Sequence, residues 1–163
     1  MIFLIINIWV IYYLIKTIVY ENVSIWIAVN SEDKILLQER IGVSKLWEKW
    51  ASFWWKINKD ETKEEWLERE IKEELDLKIK DYKYLGNKTY FFWKYKKIIT
   101  INYFISFIDL DVSKLKVLEW SWAKYFSLKE LNSIWFVEKW KFLKKFKKVI
   151  KQELKNRSKK SWK

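Results

Sequence analysis

Two glycines and no proline punctuate 163 residues, and that scarcity limits the turns the chain can make. Glycine is the residue that enters positive φ or approaches a ligand closely without steric cost, and a folded domain needs it at several places. At the ordinary frequency of roughly 7% the chain would carry about eleven glycines. It holds 13 tryptophans instead, and the two residue types together come to a normal total. The imbalance is sharpest at Trp54-Trp55, directly upstream of Glu61 and the run Arg69-Glu70-Ile71-Lys72-Glu73-Glu74. Two explanations stand. Either the source reads the UGA codon as glycine and the translation wrote tryptophan, or this is an aromatic-heavy protein from an AT-rich genome whose tryptophans are real. The codons under Trp54, Trp55 and Trp66 separate them.

The length fits one domain with a single sizeable core. Absence of cysteine excludes disulfides and thiolate metal sites, and absence of histidine excludes imidazole catalysis and His-ligated zinc. Any metal must then be held by carboxylates and carbonyls, which suits a hard cation such as Mg2+ or Mn2+. The net charge of +12 is unevenly spread: residues 138–163 carry +10 of it. In that basic segment Phe142, Phe146 and Ile150 recur every fourth residue beside Leu143 and Val149. The pattern predicts an amphipathic helix with a Lys-rich outer face. It packs on the domain with that face solvated, or it meets an anionic partner, RNA or a membrane surface.

Residues 1–15 are apolar except Asn7. The run is shorter than a comfortable membrane span, and it lacks the basic start and small-residue cleavage site of a signal peptide. An upstream mis-assigned start, a buried extra segment or strand, and an N-terminal membrane anchor all remain open; an anchor would leave the Lys-rich domain facing the cytoplasm. The expected organisation is an apolar segment 1–16, a domain over 17–137 and a basic helix and tail over 138–163.

Within the domain, Val23–Asn30 and Ile35–Leu37 read as strands joined by a turn at Ser31-Glu32-Asp33. Thr62-Lys63-Glu64-Glu65 matches a capping box, and a helix follows to Leu75 with Leu67, Ile71 and Leu75 as its buried stripe. Leu77–Lys80 and Tyr82–Phe92 read as strand material, Ile98–Ile108 as a central strand buried on both faces. Lys124–Phe126 reads as a short strand, and Ser127 caps a short helix to Leu131. The order predicts an α/β fold with a mixed sheet and helices on its faces.

Glu70, Glu73 and Glu74 fall at i, i+3 and i+4, close to one helical face. Carboxylates so placed repel one another unless a cation compensates. A divalent metal would do so and leave coordination sites for phosphate oxygens and water. A solvated acidic face in a Glu/Lys-rich chain has the same spacing, so these three residues alone leave both readings open.

The longer spacing is more specific. From Trp55 to Leu77 the chain resembles the Nudix box: Gly, five residues, Glu, seven residues, Arg-Glu, an apolar residue, any residue, Glu-Glu, any residue, Gly, an apolar residue. Glu61 lies eight before Arg69, and the run to Glu74 fits without a gap. Trp55 stands at the first Gly and Trp66 where relatives carry Gly or Ala. Asp76 stands at the last Gly, a departure that glycine recoding does not repair. Trp50-Ala51-Ser52-Phe53-Trp54-Trp55-Lys56 resembles the Trp-x-x-Phe-Gly-Gly-Lys approach of nucleoside triphosphate pyrophosphohydrolases of the oxidised-purine-sanitising type. Lys124–Leu131 resembles their aromatic-Phe-x-Leu-x-x-Leu segment.

The resemblance implies an α/β/α sandwich and metal-dependent hydrolysis of a diphosphate linkage in a nucleoside diphosphate derivative, foremost a nucleoside triphosphate cut to monophosphate and pyrophosphate. It implies Glu70 and Glu74 as principal Mg2+ (or Mn2+) ligands and Glu73 as a further ligand or the base. Arg69 would orient the cluster, Glu61 support it or coordinate an additional metal, and the carbonyl of Trp54 complete the metal shell if that position is glycine. Lys56 would contact substrate phosphates or sit on the surface, and Glu119 would read the base or be an exposed loop acid, since Ala51 lacks the amide that would partner it. Two rivals are expected within the same fold: removal of pyrophosphate from RNA 5′ ends, to which the basic tail lends support, and an inactive nucleotide- or RNA-binding domain if Trp54 and Trp55 are real.

Overall fold

The computed structural model describes residues 18–40, 49–115, 122–133, 148 and 150–157, the side chains of 94 and 132 excepted. The apolar segment 1–16, Glu119, and Phe142, Leu143, Phe146 and Val149 of the basic segment lie outside the described residues.

β1 (Val19–Val29) is the axis of the sheet. It runs parallel to β6 (Lys97–Phe107), in register from Val19↔Lys97 to Val29↔Phe107, and antiparallel to β4 (Phe53–Lys56). β2 (Ile35–Glu39) follows β1 through a tight turn and pairs with β3 (Trp50–Ala51) and β7 (Ala123–Phe126). β5 (Lys83–Phe92) closes the other side as an antiparallel hairpin with β6. The path is β3-β2-β1-β6-β5, a mixed sheet of seven strands with β4 on β1 and β7 on β2.

Strand alternation sends side chains to two separate cores. Ile25, Ile27, Val29, Ile35, Leu37, Tyr103 and Ile105 pack on one face, where Leu131 and Ile150 cover them. Trp26, Ala28, Leu36 and Phe104 pack on the other beneath α1 (Lys63–Leu75), which contributes Leu67, Ile71 and Leu75 as its stripe predicts. Residues 150–157 are helical and put Ile150 into the first core. Helix, sheet and helix make the expected sandwich.

Turns are made almost without glycine. Four described residues have positive φ: Asp33, Asp76, Lys96 and Gly86. Aspartate tolerates this region better than most residues because its short side chain bonds locally. At the β1–β2 turn Asn30 does the equivalent work, its Oδ1 accepting from the backbone N–H of Glu32 at 3.1 Å and of Lys34 at 2.8 Å.

Three expectations change. Leu77–Lys80 is not a strand: it is an irregular link whose Leu77 and Ile79 pack beside α1, so its apolar alternation reflects core contact without a ladder. β6 is flanked on both sides, yet only residues 102–106 are fully buried. Trp54 and Trp55 lie in the ladder of β4 opposite Ile25 and Ser24, not in a positive-φ loop. Extended backbone there accepts any residue, so any need for glycine at these positions is one of space.

Candidate active site

Thr62 starts the site by starting its helix. Its Oγ1 accepts from the Glu65 N–H at 3.2 Å, while the Glu65 carboxylate accepts from the Thr62 N–H at 3.0 Å. This reciprocal cap satisfies two exposed donors and sets where the following turns point. At the far end Asp76 takes φ 52° and ψ 31°, and its N–H reaches the carbonyls of Ile71 and Lys72. The residue that departs from the box pattern therefore adopts the left-handed cap that glycine would supply, and Lys72 pairs with its carboxylate.

Between these caps Arg69 gathers the acids. Its Nε donates to Glu61 Oε1 at 2.7 Å and its Nη2 to Glu61 Oε2 at 2.9 Å, a bidentate pair. Nη2 also reaches Glu70 Oε1 at 3.0 Å, and Nη1 reaches Glu73 Oε2 at 2.7 Å. One guanidinium thus joins to itself three of the four predicted acids of the box. Its planar donor fork suits this role better than an ammonium would. The Arg69 hydrogen bond holds the Glu61 carboxyl below its ordinary value, and Glu61 foremost pushes the guanidinium further up.

The acids are not equivalent. Glu73 is the most open, its side chain 58% exposed, whereas that of Glu70 is 18% exposed. Glu74, one turn beyond Glu70 on the helix, is buried. Among the described residues no three carboxylates converge in a metal-holding arrangement. Mg2+ is commonly held by one or two carboxylates with waters and substrate phosphates completing the shell. Hard carboxylates in a chain without histidine or cysteine fit that chemistry.

The remaining predicted residues are more scattered. Lys56 ends β4, its Nζ 3.9 Å from Glu21. Ala51 is buried in β3 opposite Gln38, whose amide donates to the Ser52 carbonyl at 3.1 Å. An amide therefore does stand beside Ala51, on the neighbouring strand; its place depends on strand register, which motif spacing does not encode. Glu21 also escapes a motif reading. It bonds Lys97 at 2.7 Å and sits next to Asn22, whose carbonyl accepts from the Ile57 N–H at 2.8 Å, so it ties β6 and β4 together where the loop to α1 begins.

Trp55 and Trp66 pack edge to face, 5.8 Å between ring centroids, in the core under α1. The Trp66 indole N–H is buried with no hydrogen-bond partner among the described residues. Trp54 points the other way, partly exposed, with the Arg40 guanidinium 5.4 Å from its ring centre.

A model of the NUDIX domain matches residues 21–146, spanning every element of the site. The chain belongs to the NUDIX domain family. Its membership makes it a Nudix-type pyrophosphohydrolase. Comparison with curated protein sequences gives no match. Among solved structures, a MutT protein from Methanosarcina mazei Go1 superposes with TM-score 0.66 at 19% identity, covering 85% of this chain and 97% of that one. The E. coli ORF135 protein gives 0.64 at 20% identity, covering 82% and 93%. The NUDIX domain of Shewanella oneidensis NrtR, complexed with ADP ribose, gives 0.63 at 14% identity, covering 82% and 87%. At these identities the likeness concerns the fold, and the Nudix box itself is read from Glu61 to Glu74.

Proposed function

We propose that this Nudix domain, residues 17–137, hydrolyses a nucleoside triphosphate to monophosphate and pyrophosphate with Mg2+ or Mn2+. The observation that carries the reading is the Arg69 clamp, which gathers Glu61, Glu70 and Glu73 on the helix that also bears Glu74. The ADP ribose bound by the NrtR domain contains the same kind of diphosphate linkage and supports a nucleotide ligand.

In this reading Glu70 and Glu74 would be the principal residues to hold the cation, Glu73 would serve as a further ligand or as the base, and the Trp54 carbonyl would add a ligand if that position is glycine. The bound cation would neutralise phosphate oxygens and lower the pKa of the attacking water. Arg69 keeps Glu73 at the solvent side of the helix, where its carboxylate can take the proton of that water. Water oxygen bonds to one phosphorus, the anhydride P–O bond breaks, and the leaving phosphate keeps the electron pair. Lys56 and Glu119 are assigned to substrate phosphates and base, respectively. The domain works in the cytoplasm.

The tryptophans at glycine positions belong to the same reading. A buried indole N–H without a partner is costly, because tryptophan normally finds one, and Trp66 has none among the described residues. This supports a glycine written as tryptophan there, and by extension at Trp54 and Trp55. Removal of pyrophosphate from RNA 5′ ends is the second reading, favoured by the basic helical residues 150–157 and the Lys-rich segment 138–163 that contains them. The test is release of pyrophosphate from a nucleotide panel, with and without Mg2+, by the glycine-corrected protein and its Glu74→Gln variant. Turnover by the former and none by the latter is expected, with both folded. Near-normal activity in Glu74→Gln would sink the site assignment.

A further inference from the structure

The tip of the β5–β6 hairpin has an unusual surface. Phe91, Phe92 and Tyr95 are exposed at 38%, 40% and 49%, and Tyr20 of the adjoining β1 at 68%. Phe91 shares one side of the strand with Trp93, centroids 4.3 Å apart, and Tyr90 shares the other with Phe92 at 6.4 Å. Aromatic rings thus stand on both faces of one ribbon, and Phe91, Phe92, Tyr95 and Tyr20 carry this surface whichever residue occupies position 93. No acidic residue occurs between Asp81 and Asp109, whereas Lys83, Lys88, Lys94, Lys96 and Lys97 do. Lys97 pairs with Glu21; Lys88 and Lys96 are exposed and in no ion pair among the described residues.

The position of this tip matters as much as its composition. The Val19 N–H donates to the Lys96 carbonyl at 3.0 Å, and Val19 pairs with Lys97. Three residues upstream of Val19 lies Lys16, and before it the apolar run 1–15. The described chain therefore enters β1 at the end of the sheet where the aromatic hairpin projects.

We infer that the hairpin tip, with Tyr20 and the entrance to β1, is a docking surface for an anionic lipid bilayer. Aromatic rings and lysines together suit the membrane–water boundary: the rings enter the headgroup region while the ammonium groups face anionic lipids. A two-sided aromatic ribbon favours this occupant over a protein partner. A folded partner would cover one face, whereas a bilayer surrounds an inserted tip. The apolar run 1–15, which precedes β1 in the sequence, would supply the second of the two signals that stable membrane attachment requires. The proposal stands independently of the substrate, because it uses none of Glu61, Arg69, Glu70, Glu73 or Glu74.

The chain contains no cysteine, so one introduced thiol can carry a polarity-sensitive fluorophore at a single known place. The full-length protein is labelled at Lys96→Cys on the tip or at Lys34→Cys on the β1–β2 turn. Those positions lie about 33 Å apart along the strand direction, taking ten strand residues between the two ends of β1. Phosphatidylcholine vesicles with phosphatidylserine should shift the emission of the tip label to the blue and let spin-labelled lipid quench it, with no change at the turn. Phe91→Ser/Phe92→Ser, tested in the labelled tip protein, should reduce that response about tenfold at a fixed lipid concentration. The docking surface is refuted by an unresponsive tip or by equal responses at both positions. It is likewise refuted if single-stranded RNA, or higher protein concentration without vesicles, gives the tip shift that vesicles do not.

Discussion

Arg69 and Glu61 form a bidentate pair at 2.7 and 2.9 Å across eight residues of sequence, joining the loop before α1 to the helix that carries the other acids. The loop therefore cannot move without its carboxylate leaving the guanidinium. This pair depends on neither tryptophan nor glycine at positions 54, 55 and 66.

A pH dependence follows from it. The folded state lowers the Glu61 pKa from 4.5, with the Arg69 hydrogen bond as the main cause. A depressed carboxylate contributes stability above its unfolded value and loses it as pH falls through the folded value. Denaturation measured against pH should show the parent more stable than Glu61→Gln at neutral pH, with the difference shrinking as pH falls below 4.5 and lost once pH passes the lower folded value. A difference that is constant through the acid range would contradict this account.

Replacement of Arg69 by lysine keeps the charge and removes the fork. A single ammonium cannot reproduce the contacts to Glu61, Glu70 and Glu73 together. Pyrophosphate release by Arg69→Lys should fall roughly 10- to 100-fold, the usual cost of losing a group that orients metal-binding carboxylates. Its denaturation midpoint should move little, because the side chain is partly exposed. Full activity with lysine would make Arg69 a surface ion-pair residue with no part in positioning.

The helix cap offers a purely structural test. Thr62→Ala removes the acceptor of the Glu65 N–H and leaves the Glu65 carboxylate without its hydroxyl donor. Loss of an N-cap typically costs about 1 kcal/mol. Chemical denaturation of Thr62→Ala should show a loss of that order, and Thr62→Ser should recover most of it. Equal stability in all three proteins would mean that packing of Leu67, Ile71 and Leu75 alone sets the helix start.

What could be read from the sequence was whatever is local in the chain. The cap at Thr62, the stripe Leu67–Ile71–Leu75 and the spacing from Glu61 to Glu74 are fixed by helix period, so they survive into the structure unchanged. The turn at Asn30–Asp33 was equally local. Strand register is not. Nothing in the spacing places Gln38 beside Ala51, or Glu21 between Lys97 and Lys56, because those meetings depend on which strands pair. Leu77–Lys80 misled for a related reason: two apolar side chains reaching a core produce the same alternation as a strand that has no partner. The burial of Glu74 was hidden too, since helix spacing puts positions i+3 and i+4 close together and does not say how deeply each is covered.

Trp66 gives the sharpest test of the sequence itself. It lies wholly buried under the sheet face, against Trp55, with its indole N–H unpaired. If tryptophan is the native residue, Trp66→Gly opens a cavity worth about 3–5 kcal/mol and adds the helical glycine penalty of about 1 kcal/mol. Such a loss is a large share of the stability of any single domain. If glycine is native, Trp54→Gly/Trp55→Gly/Trp66→Gly lets α1 settle closer to the sheet and removes the unpaired donor. The recoded reading predicts that this triple variant unfolds cooperatively, at a midpoint no lower than the tryptophan form, and shows Mg2+-dependent pyrophosphate release that the tryptophan form lacks. A triple variant that is unfolded, or that loses several kcal/mol without gaining activity, would establish the tryptophans as genuine and make the inactive nucleotide-binding domain the better description.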